Sequence, residues 1–379
     1  MVCGDRTRGE MACGETARES SGDLSLSELV FSLRAAVSIL HKQDIQTAAD
    51  TLGQFVQNVE GTGSIYLGDD CAAIPDGGLP NRSPDGSPDG LSDSRSQGSS
   101  QGSYLLLAAE GIWPQLVAKD PWFAGWCAVM VNLSDIAAMG GWAIAIVDAL
   151  WSRSVENSQP IWAGMQAAAA TYGVPIVGGH TNCHSPHDGL AVAVMGRSQH
   201  LLTSFDAKPG DALVMVINMA GAYYKDYPFW NAATTADPTA LRQQLALLPK
   251  LTASGLCLAG KDISMGGLAG TLLMLCEASG CGAVLDLGRV PRPKPAAWES
   301  IGWHKWLTSF PSFGFLLSVP PENVEAVAAL FTAEGLACEA VGEVLSGSEV
   351  FVQQAEQTQL LWDLTQPLTG FHPQVSPAN

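Results

Sequence analysis

The sequence is short of basic residues, and this shortage limits the partners that the protein can have. Lysine and arginine together number 19, against 37 aspartate and glutamate residues, and the formal net charge at pH 7 is −18. A strongly negative protein repels polyanions, so we expect neither nucleic acid nor an anionic membrane surface as a partner. A nucleotide stays compatible with this charge because Mg²⁺ joins carboxylates to phosphates.

The sequence also lacks a cysteine pair of the CxxC type, a signal-peptide pattern and a long uninterrupted apolar run. Its nine cysteines are scattered and odd in number, which is typical of reduced thiols and not of a disulfide framework. The longest apolar region, residues 128–150, is interrupted by Asn132, Asp135 and Asp148. We therefore expect a cytoplasmic protein that has no membrane contact.

What the sequence does contain is a set of acids beside apolar segments. Asp69 and Asp70 precede a strand-like run, and Glu110 lies at the end of the next one. Asp135 lies three positions after Asn132, so the two share one edge of a predicted apolar helix. Carboxylates at strand ends and on one helix are the hard oxygen ligands that Mg²⁺ prefers. The pattern predicts a divalent-ion and phosphate site.

A third strand-like run, residues 175–181, is predicted to end in a glycine turn. Gly178 and Gly179 allow a phosphate to approach the backbone closely, and His180 and Thr181 follow them. An alternative stays open here, because a transition-metal site is also compatible with the polar residues of this segment. Its ligands would be His180, Cys183, His184 and His187.

A further glycine-containing segment is predicted to be a strand-to-helix turn. It contains Lys261, Asp262, Ser264, Gly266 and Gly267, in that order. Backbone N–H groups at the start of a helix bind anions, so this turn is a second candidate for a phosphate contact.

A chain of 379 residues is long enough for two domains. The alternation of predicted strands and helices indicates an α/β architecture. We predict a disordered tail at 1–22, an N-terminal domain at 23–200 with a flexible Pro/Gly/Ser-rich insertion at 75–103, a second domain at 201–350, and a C-terminal extension at 351–379.

Three motifs together resemble one known superfamily. GDDCA at residues 68–72 and NLSDIAAMG at residues 132–140 resemble thiamine-monophosphate kinase, whereas KDISMGGLAG at residues 261–270 is closer to a hydrogenase maturation protein. Both proteins belong, with selenophosphate synthetase, to the AIR synthase (PurM-like) superfamily.

The resemblance implies a fold and an assembly. It implies a two-domain α/β (α+β) protein whose N-terminal sheet-plus-helices domain forms a barrel in a homodimer. The C-terminal domain would be an α/β sandwich. ATP would lie near the domain and dimer interface with Mg²⁺, and the protein would act on a small-molecule substrate.

The resemblance also assigns roles to individual residues. The implied metal ligands are Asp69, Asp70, Glu110, Asp135 and Asp262. The implied cofactor-binding residues are Gly68, Asn132, Gly178, Gly179, Thr181, Lys261, Ser264 and Gly266. Asp262 and His180 are the implied catalytic residues.

The sequence departs from thiamine kinases at two positions, which leaves two functions open. His180 and Met265 stand where those enzymes have aspartate. One interpretation is an ATP- and Mg²⁺-dependent phosphoryl-transfer enzyme, either a kinase or a synthase/dehydratase. The other is a catalytically reduced nucleotide-binding protein that acts as a partner or regulatory subunit. The sequence does not identify the substrate.

Overall fold

The computed structural model describes residues 24–58, 67–76 and 103–371. The predicted tail at 1–22 and nearly all of the predicted insertion at 75–103 lie outside these residues. Short helical segments come first in the described chain: α1 (Leu26–Arg34), α2 (Val37–Leu40), a 3-10 turn (His41–Asp44) and α3 (Ile45–Asn58).

A first sheet with its helices follows. Its elements are β1 (Ala72–Pro75), β2 (Tyr104–Gly111), α4 (Pro114–Lys119), α5 (Pro121–Ala138), β3 (Trp142–Trp151), α6 (Val155–Tyr172), β4 (Ile176–Asn182) and β5 (Gly189–Ser198). The strand order is β1-β2-β5-β3-β4, and only the β3–β4 pair is parallel among these five strands. Helix α5 covers one face of the sheet, and α6 packs on α5.

Strand β5 shows why one face of this sheet is buried. Its Leu190, Val192 and Val194 are almost fully buried in the core with α5, whereas Met195 on the opposite face is exposed. Period-2 alternation of this kind is what a strand with one buried face requires.

One local prediction is wrong. The run at residues 175–181 does not end in a glycine turn, because Gly178, Gly179, His180 and Thr181 all lie within β4. They pair with Val147 and the next three residues of β3 in parallel register. The β3 pairing satisfies backbone groups that a turn would leave to solvent, so the segment continues as an edge strand.

The second half of the chain contains most of the remaining strands and helices. Its elements are β6 (Ala212–Ile217), β7 (Ala222–Tyr223), β8 (Phe229–Asn231), α7 (Pro238–Leu245), α8 (Leu247–Ser254), β9 (Ala259–Asp262), α9 (Gly267–Ser279), β10 (Gly282–Asp286), α10 (Pro295–Thr308), β11 (Phe310–Pro311), β12 (Gly314–Val319), a 3-10 turn (Pro321–Asn323), α11 (Val324–Thr332), β13 (Ala337–Leu345), β14 (Glu349–Gln354) and β15 (Gln357–Asp363).

The second sheet is buried on both faces, which confirms the predicted α/β sandwich. Its strand order is β15-β14-β10-β13-β6-β12-β9, and β11-β8-β7 form a small separate sheet. In β6, Leu213 and Met215 pack in a core with α9 and α10, while Val214 and Val216 pack in a core with α8 and α11. Helices therefore cover both faces of this sheet.

The first helix packs on this second sheet. A capping box between Ser25 and Glu28 starts α1, and Leu29 and Leu33 lie in the core that α9 and α10 also form. Strand β15, which lies in the predicted C-terminal extension, completes the sheet edge beside α1. The proposed domain boundaries at residues 200 and 350 stay predictions.

Among the helices in the described ranges, none combines the length and the apolar character that a membrane span requires.

Candidate active site

Three carboxylates from distant parts of the chain meet in one place. Asp70 lies in the loop before β1, Asp135 is in the last turns of α5, and Asp262 ends β9. One oxygen of each lies within 4.8 Å of the others. Three hard oxygen donors at this spacing fit Mg²⁺, which commonly joins one or two carboxylates to substrate phosphates.

Asp70 is held in place by the KDISMGGLAG motif in the second half of the chain. Its Oδ1 forms a buried ion pair with Nζ of Lys261, and its Oδ2 accepts a hydrogen bond of 3.1 Å from the backbone N–H of Asp262. The GDD loop and the KDIS segment, which are far apart in sequence, therefore form one structural unit.

The lysines beside the buried acids are too few to balance the negative charge that the carboxylates would carry if all were ionised. Burial, followed by repulsion from Asp262, raises the pKa of Asp135 well above its usual range. Burial and the charge of Asp70 do the same to Asp262. Burial lowers the pKa of Lys261, but Asp70 and Asp69 outweigh this effect, so its pKa is raised and it stays a cation. A bound divalent cation would relieve the repulsion.

Asp69 has a different environment from that of Asp70. Its carboxylate accepts hydrogen bonds from the backbone N–H and the hydroxyl of Ser204, at 3.1 Å and 2.7 Å. Burial and the neighbouring Asp70 raise the pKa of Asp69 to about 7. Asp69 lies in the same pocket but outside the group of three, so its proposed metal role stays a prediction.

The KDIS segment forms the predicted strand-to-helix turn. Gly266 precedes α9 with a φ of +100°, a conformation that favours glycine. A Cβ on Gly267 would lie 2.4 Å from the carbonyl oxygen of Leu307, so this position also requires glycine. The turn contributes Ser264 and Met265 to the pocket wall.

The carboxylates lie in a cavity of about 320 Å³ whose other walls are largely apolar. Glu110 and Gly68 contribute to the wall, and the metal role of Glu110 and the cofactor role of Gly68 stay predictions. The apolar and aromatic part of the wall includes Ile112, Trp113, Leu116, Phe229, Phe310 and Phe371. A pocket with polar groups in one region and apolar walls elsewhere is typical of a small-molecule site.

Lys42 is a pocket residue that the sequence reasoning missed. It lies in the 3-10 turn after α2, in the same cavity as Asp262 and Lys261. Burial lowers the pKa of Lys42, although the charge of Asp262 opposes this effect. Its position in a polar turn gave no signal that set it apart from a solvated lysine.

Comparison with known proteins shows the family to which the chain belongs. The family model described as AIR synthase related protein, N-terminal domain, matches residues 68–198, and that of the C-terminal domain matches residues 208–354. A thiamine-monophosphate kinase from Halobacterium salinarum is 31% identical over 212 residues, which cover 54% of this chain and 72% of the relative. The chain belongs to the AIR synthase (PurM-like) superfamily.

Other relatives extend the comparison. An uncharacterized protein from Synechocystis is 50% identical over 349 residues, which cover 91% of this chain and 98% of the relative. The structure of AaThiL complexed with AMPPCP and TMP has a TM-score of 0.57 and 19% identity, and covers 83% of this chain and 96% of its own. T. maritima PurL complexed with ATP has a TM-score of 0.58 and 19% identity, and the match covers 72% of this chain and only 45% of PurL. At such identities the two structures show the AIR synthase-like fold alone.

Several residues singled out in the sequence lie away from the acidic pocket of this superfamily member. Gly178, Gly179 and Thr181 line a separate groove between α6 and β4, with Asp148 beside them. His180 lies exposed on β4, at the opposite edge of the sheet from β1. A single chain therefore does not bring these residues to the carboxylates, and their cofactor and catalytic roles stay predictions.

Asn132 is buried and does not line the pocket. Its Nδ2 donates a 2.7 Å hydrogen bond to the carbonyl oxygen of Ala128, and its buried Oδ1 has no partner among the described residues. Direct contact of Asn132 with a nucleotide would need a movement of α5.

The alternative transition-metal site is not formed. Among the described residues, which include 180–187, the aspartate group is the one that brings three potential ligands together. Cys183 instead contacts the hydroxyl of Ser158 at 3.8 Å, and the backbone N–H of His184 donates to Asn182. Every cysteine in the described ranges is free.

Proposed function

We propose that this protein is an ATP- and Mg²⁺-dependent phosphoryl-transfer enzyme that acts on a small molecule. The observation that carries the proposal is the convergence of Asp70, Asp135 and Asp262 beside the turn that opens α9. Carboxylates that hold Mg²⁺ next to backbone anion donors form a site that suits a nucleotide triphosphate.

Each part of the site has a distinct task in this proposal. The three aspartates hold Mg²⁺, which when bound neutralises the charge of the transferring phosphoryl group. Lys261 keeps Asp70 in place and adds positive charge near the phosphates. The hydroxyl of Ser264 and the backbone N–H of Gly266 bind a phosphate oxygen. The apolar wall excludes water, which limits wasteful hydrolysis.

The relatives support nucleotide binding but do not identify the phosphoryl acceptor. Thiamine-monophosphate kinase is named for its phosphoryl transfer, and AaThiL is complexed with AMPPCP and TMP. This chain has Met265 and His180 where thiamine kinases have aspartate, so we do not propose thiamine monophosphate as its acceptor. A kinase and a synthase/dehydratase both agree with the site.

A turnover assay tests this proposal. The protein is incubated with MgATP and fractions of a small-molecule cell extract, and ADP release and new phosphate signals are followed by ³¹P NMR. We expect turnover with one fraction, and we expect the Asp262→Asn variant to lose it. The exposed Asp226→Asn variant is the matched control and keeps full activity. Release of ADP that is equal in Asp262→Asn and in the intact protein would contradict the proposal.

A second function is favoured by the placement of two residues. Met265 offers no ligand in the pocket, and His180 is distant from it within one chain. A nucleotide-binding partner or regulatory subunit would retain the aspartates and bind MgATP without turnover. Tight MgATP binding with no ADP release in any fraction would favour this second function over the first.

We also infer that the enzyme is a cytoplasmic homodimer. The face of the first sheet that α5 does not cover is apolar and exposed, with Trp142, Val147, Trp151 and Met195 each more than 40% accessible. Such a patch on a monomer marks an interaction surface. A second copy on this face would produce the barrel expected for the superfamily and would bury β4, where His180 lies.

A further inference from the structure

The end of the described chain forms a strap over the acidic pocket. Residues 367–371, which we name the C-terminal strap, follow β15 and a turn. Leu368 and Thr369 are buried, and Thr369 and Phe371 line the pocket. These residues fall within the C-terminal extension, to which the sequence assigned no role.

One buried carboxylate holds the strap. Glu277 of α9 accepts hydrogen bonds from the backbone N–H groups of Leu368 at 2.7 Å, Thr369 at 2.8 Å and Gly370 at 3.3 Å. The Thr369 hydroxyl donates to it as well. Both oxygens of Glu277 are therefore directed at the strap, and charge-assisted bonds of this kind are the stronger class.

Helix α3, from the N-terminal part of the chain, also holds the strap in place. The Gln46 side-chain amide in α3 donates to the carbonyl oxygens of Pro367 at 2.8 Å and Leu368 at 3.0 Å. Leu368, Thr369 and Gly370 are thus bonded to α9, and Leu368 is bonded to α3 as well. The next residue, Phe371, lines the pocket.

Phe371 lies directly against the GDD loop. A Cβ on Gly68, where φ is +107°, would come within 2.6 Å of the Phe371 ring. The first glycine of the GDD motif therefore leaves space for this ring, one residue before Asp69. Phe371 is only half-buried, so part of its ring stays open to a ligand in the pocket.

We propose that Phe371 stacks on the base of the bound nucleotide and that Glu277 is a positioning residue that holds Phe371 in place. This inference rests on the proposed function. The phosphates and Mg²⁺ go to the charged groups, and the ribose requires hydrogen bonds that an uncharged ring cannot supply. The base is the part of a nucleotide that binds to an aromatic face.

Binding measurements on variants test the role of Phe371. We expect Phe371→Ala to weaken MgATP binding by about tenfold, the loss typical of one stacked base. Binding of Mg²⁺ with inorganic tripolyphosphate, which has no base, changes less than about twofold in the same variant. An equal loss with both ligands, or no loss with either, would overturn the stacking role and leave Phe371 as packing or as a contact to the acceptor.

A double-mutant cycle tests whether Glu277 acts through Phe371. Glu277→Gln keeps the size of the side chain but removes its charge and one acceptor, so we expect a loss of MgATP affinity similar to that of Phe371→Ala. The double variant then binds no more weakly than Phe371→Ala alone, because the two changes break one interaction. Losses that multiply would show that Glu277 affects MgATP binding independently of Phe371 and would overturn its positioning role. The exposed Glu339→Gln variant is the matched control.

The outcomes separate this inference from the proposed function. If the intact protein binds neither MgATP nor Mg²⁺ with tripolyphosphate, the proposed function fails and the inference fails with it. If the intact protein binds MgATP and Phe371→Ala binds it equally well, the inference alone fails. Amide exchange at residues 368–370, which we expect to be faster in Glu277→Gln, checks that the substitution has released the strap.

Discussion

At the scale of single residues, the acidic pocket buries carboxylates whose negative charge the neighbouring lysines balance only in part. Asp135 and Asp262 are 6% and 4% exposed, and the nearby Lys261 is paired with Asp70. Buried carboxylates without counterions are expensive, so a protein that keeps them in one place uses them for a cation or for chemistry.

The sequence predicted these acids but not the residues around them. Asp70 and Asp135 stood out because each is polar beside an apolar run, and Asp262 stood out because it lies in a predicted strand-to-helix turn. The structure brings the three together. Glu277 and Phe371 gave no such signal, because the contact of Glu277 with Leu368 joins positions 91 residues apart. Only the folded β15 edge brings that segment to α9.

A salt-bridged aspartate outside the pocket gives a prediction of pH dependence. The largest effect on Asp188 is burial, which raises its pKa, but hydrogen bonds from Arg153 and Ser152 outweigh it and the net pKa is lowered. A lowered pKa means that this carboxylate stabilises the fold above its unfolded pKa of about 3.9 and that the stabilisation is lost as pH falls through the folded pKa.

We therefore expect Asp188→Asn to lower the free energy of unfolding at pH 7 by about 1 kcal/mol, because the exposed Arg153 limits the gain. Urea unfolding at several pH values measures this difference. It should narrow below about pH 4, whereas Asp226→Asn shows little change at any pH. A difference that stays constant or widens in acid would contradict the assignment.

At the scale of elements, two glycines determine how closely α5 and α6 pack. A Cβ on Gly125 would lie 2.1 Å from the carbonyl oxygen of Ile161, and one on Gly164 would lie 1.9 Å from that of Trp122. The helices cross in backbone contact at both points. Since α5 holds Asp135, the crossing also sets the position of one pocket carboxylate.

We expect Gly164→Ala to destabilise the protein by about 1–3 kcal/mol, because the added methyl group forces the helices apart. Gly189→Ala is the matched control, since its Cβ would meet only Trp151 at an ordinary 3.8 Å. Thermal or urea unfolding compares the two variants with the intact protein. Equal stability of Gly164→Ala and the control would show that the crossing is less tight than the structure indicates.

Element prediction from the sequence succeeded where the apolar period was long and failed at edges. The α5 helix and the strand β2 were predicted, because burial on one or both faces gives a regular pattern. The glycine segment of β4 was misread as a turn, because backbone pairing with β3 outweighed the local preference of Gly178 and Gly179. Strand β15 was missed because three of its seven residues, Gln357–Gln359, are exposed and polar.

At the scale of the whole molecule, the proposed dimer depends on the uncovered face of the first sheet. Leu107, Val147 and Met195 come from three neighbouring strands and are 49%, 43% and 42% exposed in one chain. Resemblance to the superfamily predicted a barrel shared by two copies, and this face is what such a barrel would bury. The sequence alone could not locate the face, because the order of strands is a long-range property.

We expect Val147→Asp to convert a dimer to a monomer, because a carboxylate in an apolar interface loses its hydration without a partner. Sedimentation equilibrium measures the mass of the particle. Phe31→Asp, at an exposed apolar position of α1, is the matched control and keeps the mass of the intact protein. A monomeric intact protein, or a dimeric Val147→Asp variant, would contradict this interface.

Calorimetric titration of MgATP into the purified protein tests the central proposal most directly. It is repeated with a chelator in place of Mg²⁺ and with the Asp135→Asn variant. We predict binding that requires the metal and that weakens by at least about tenfold when the Asp135 carboxylate is removed. No binding by the intact protein, or equal binding by Asp135→Asn, would contradict the assignment of Asp70, Asp135 and Asp262 as a metal–nucleotide site.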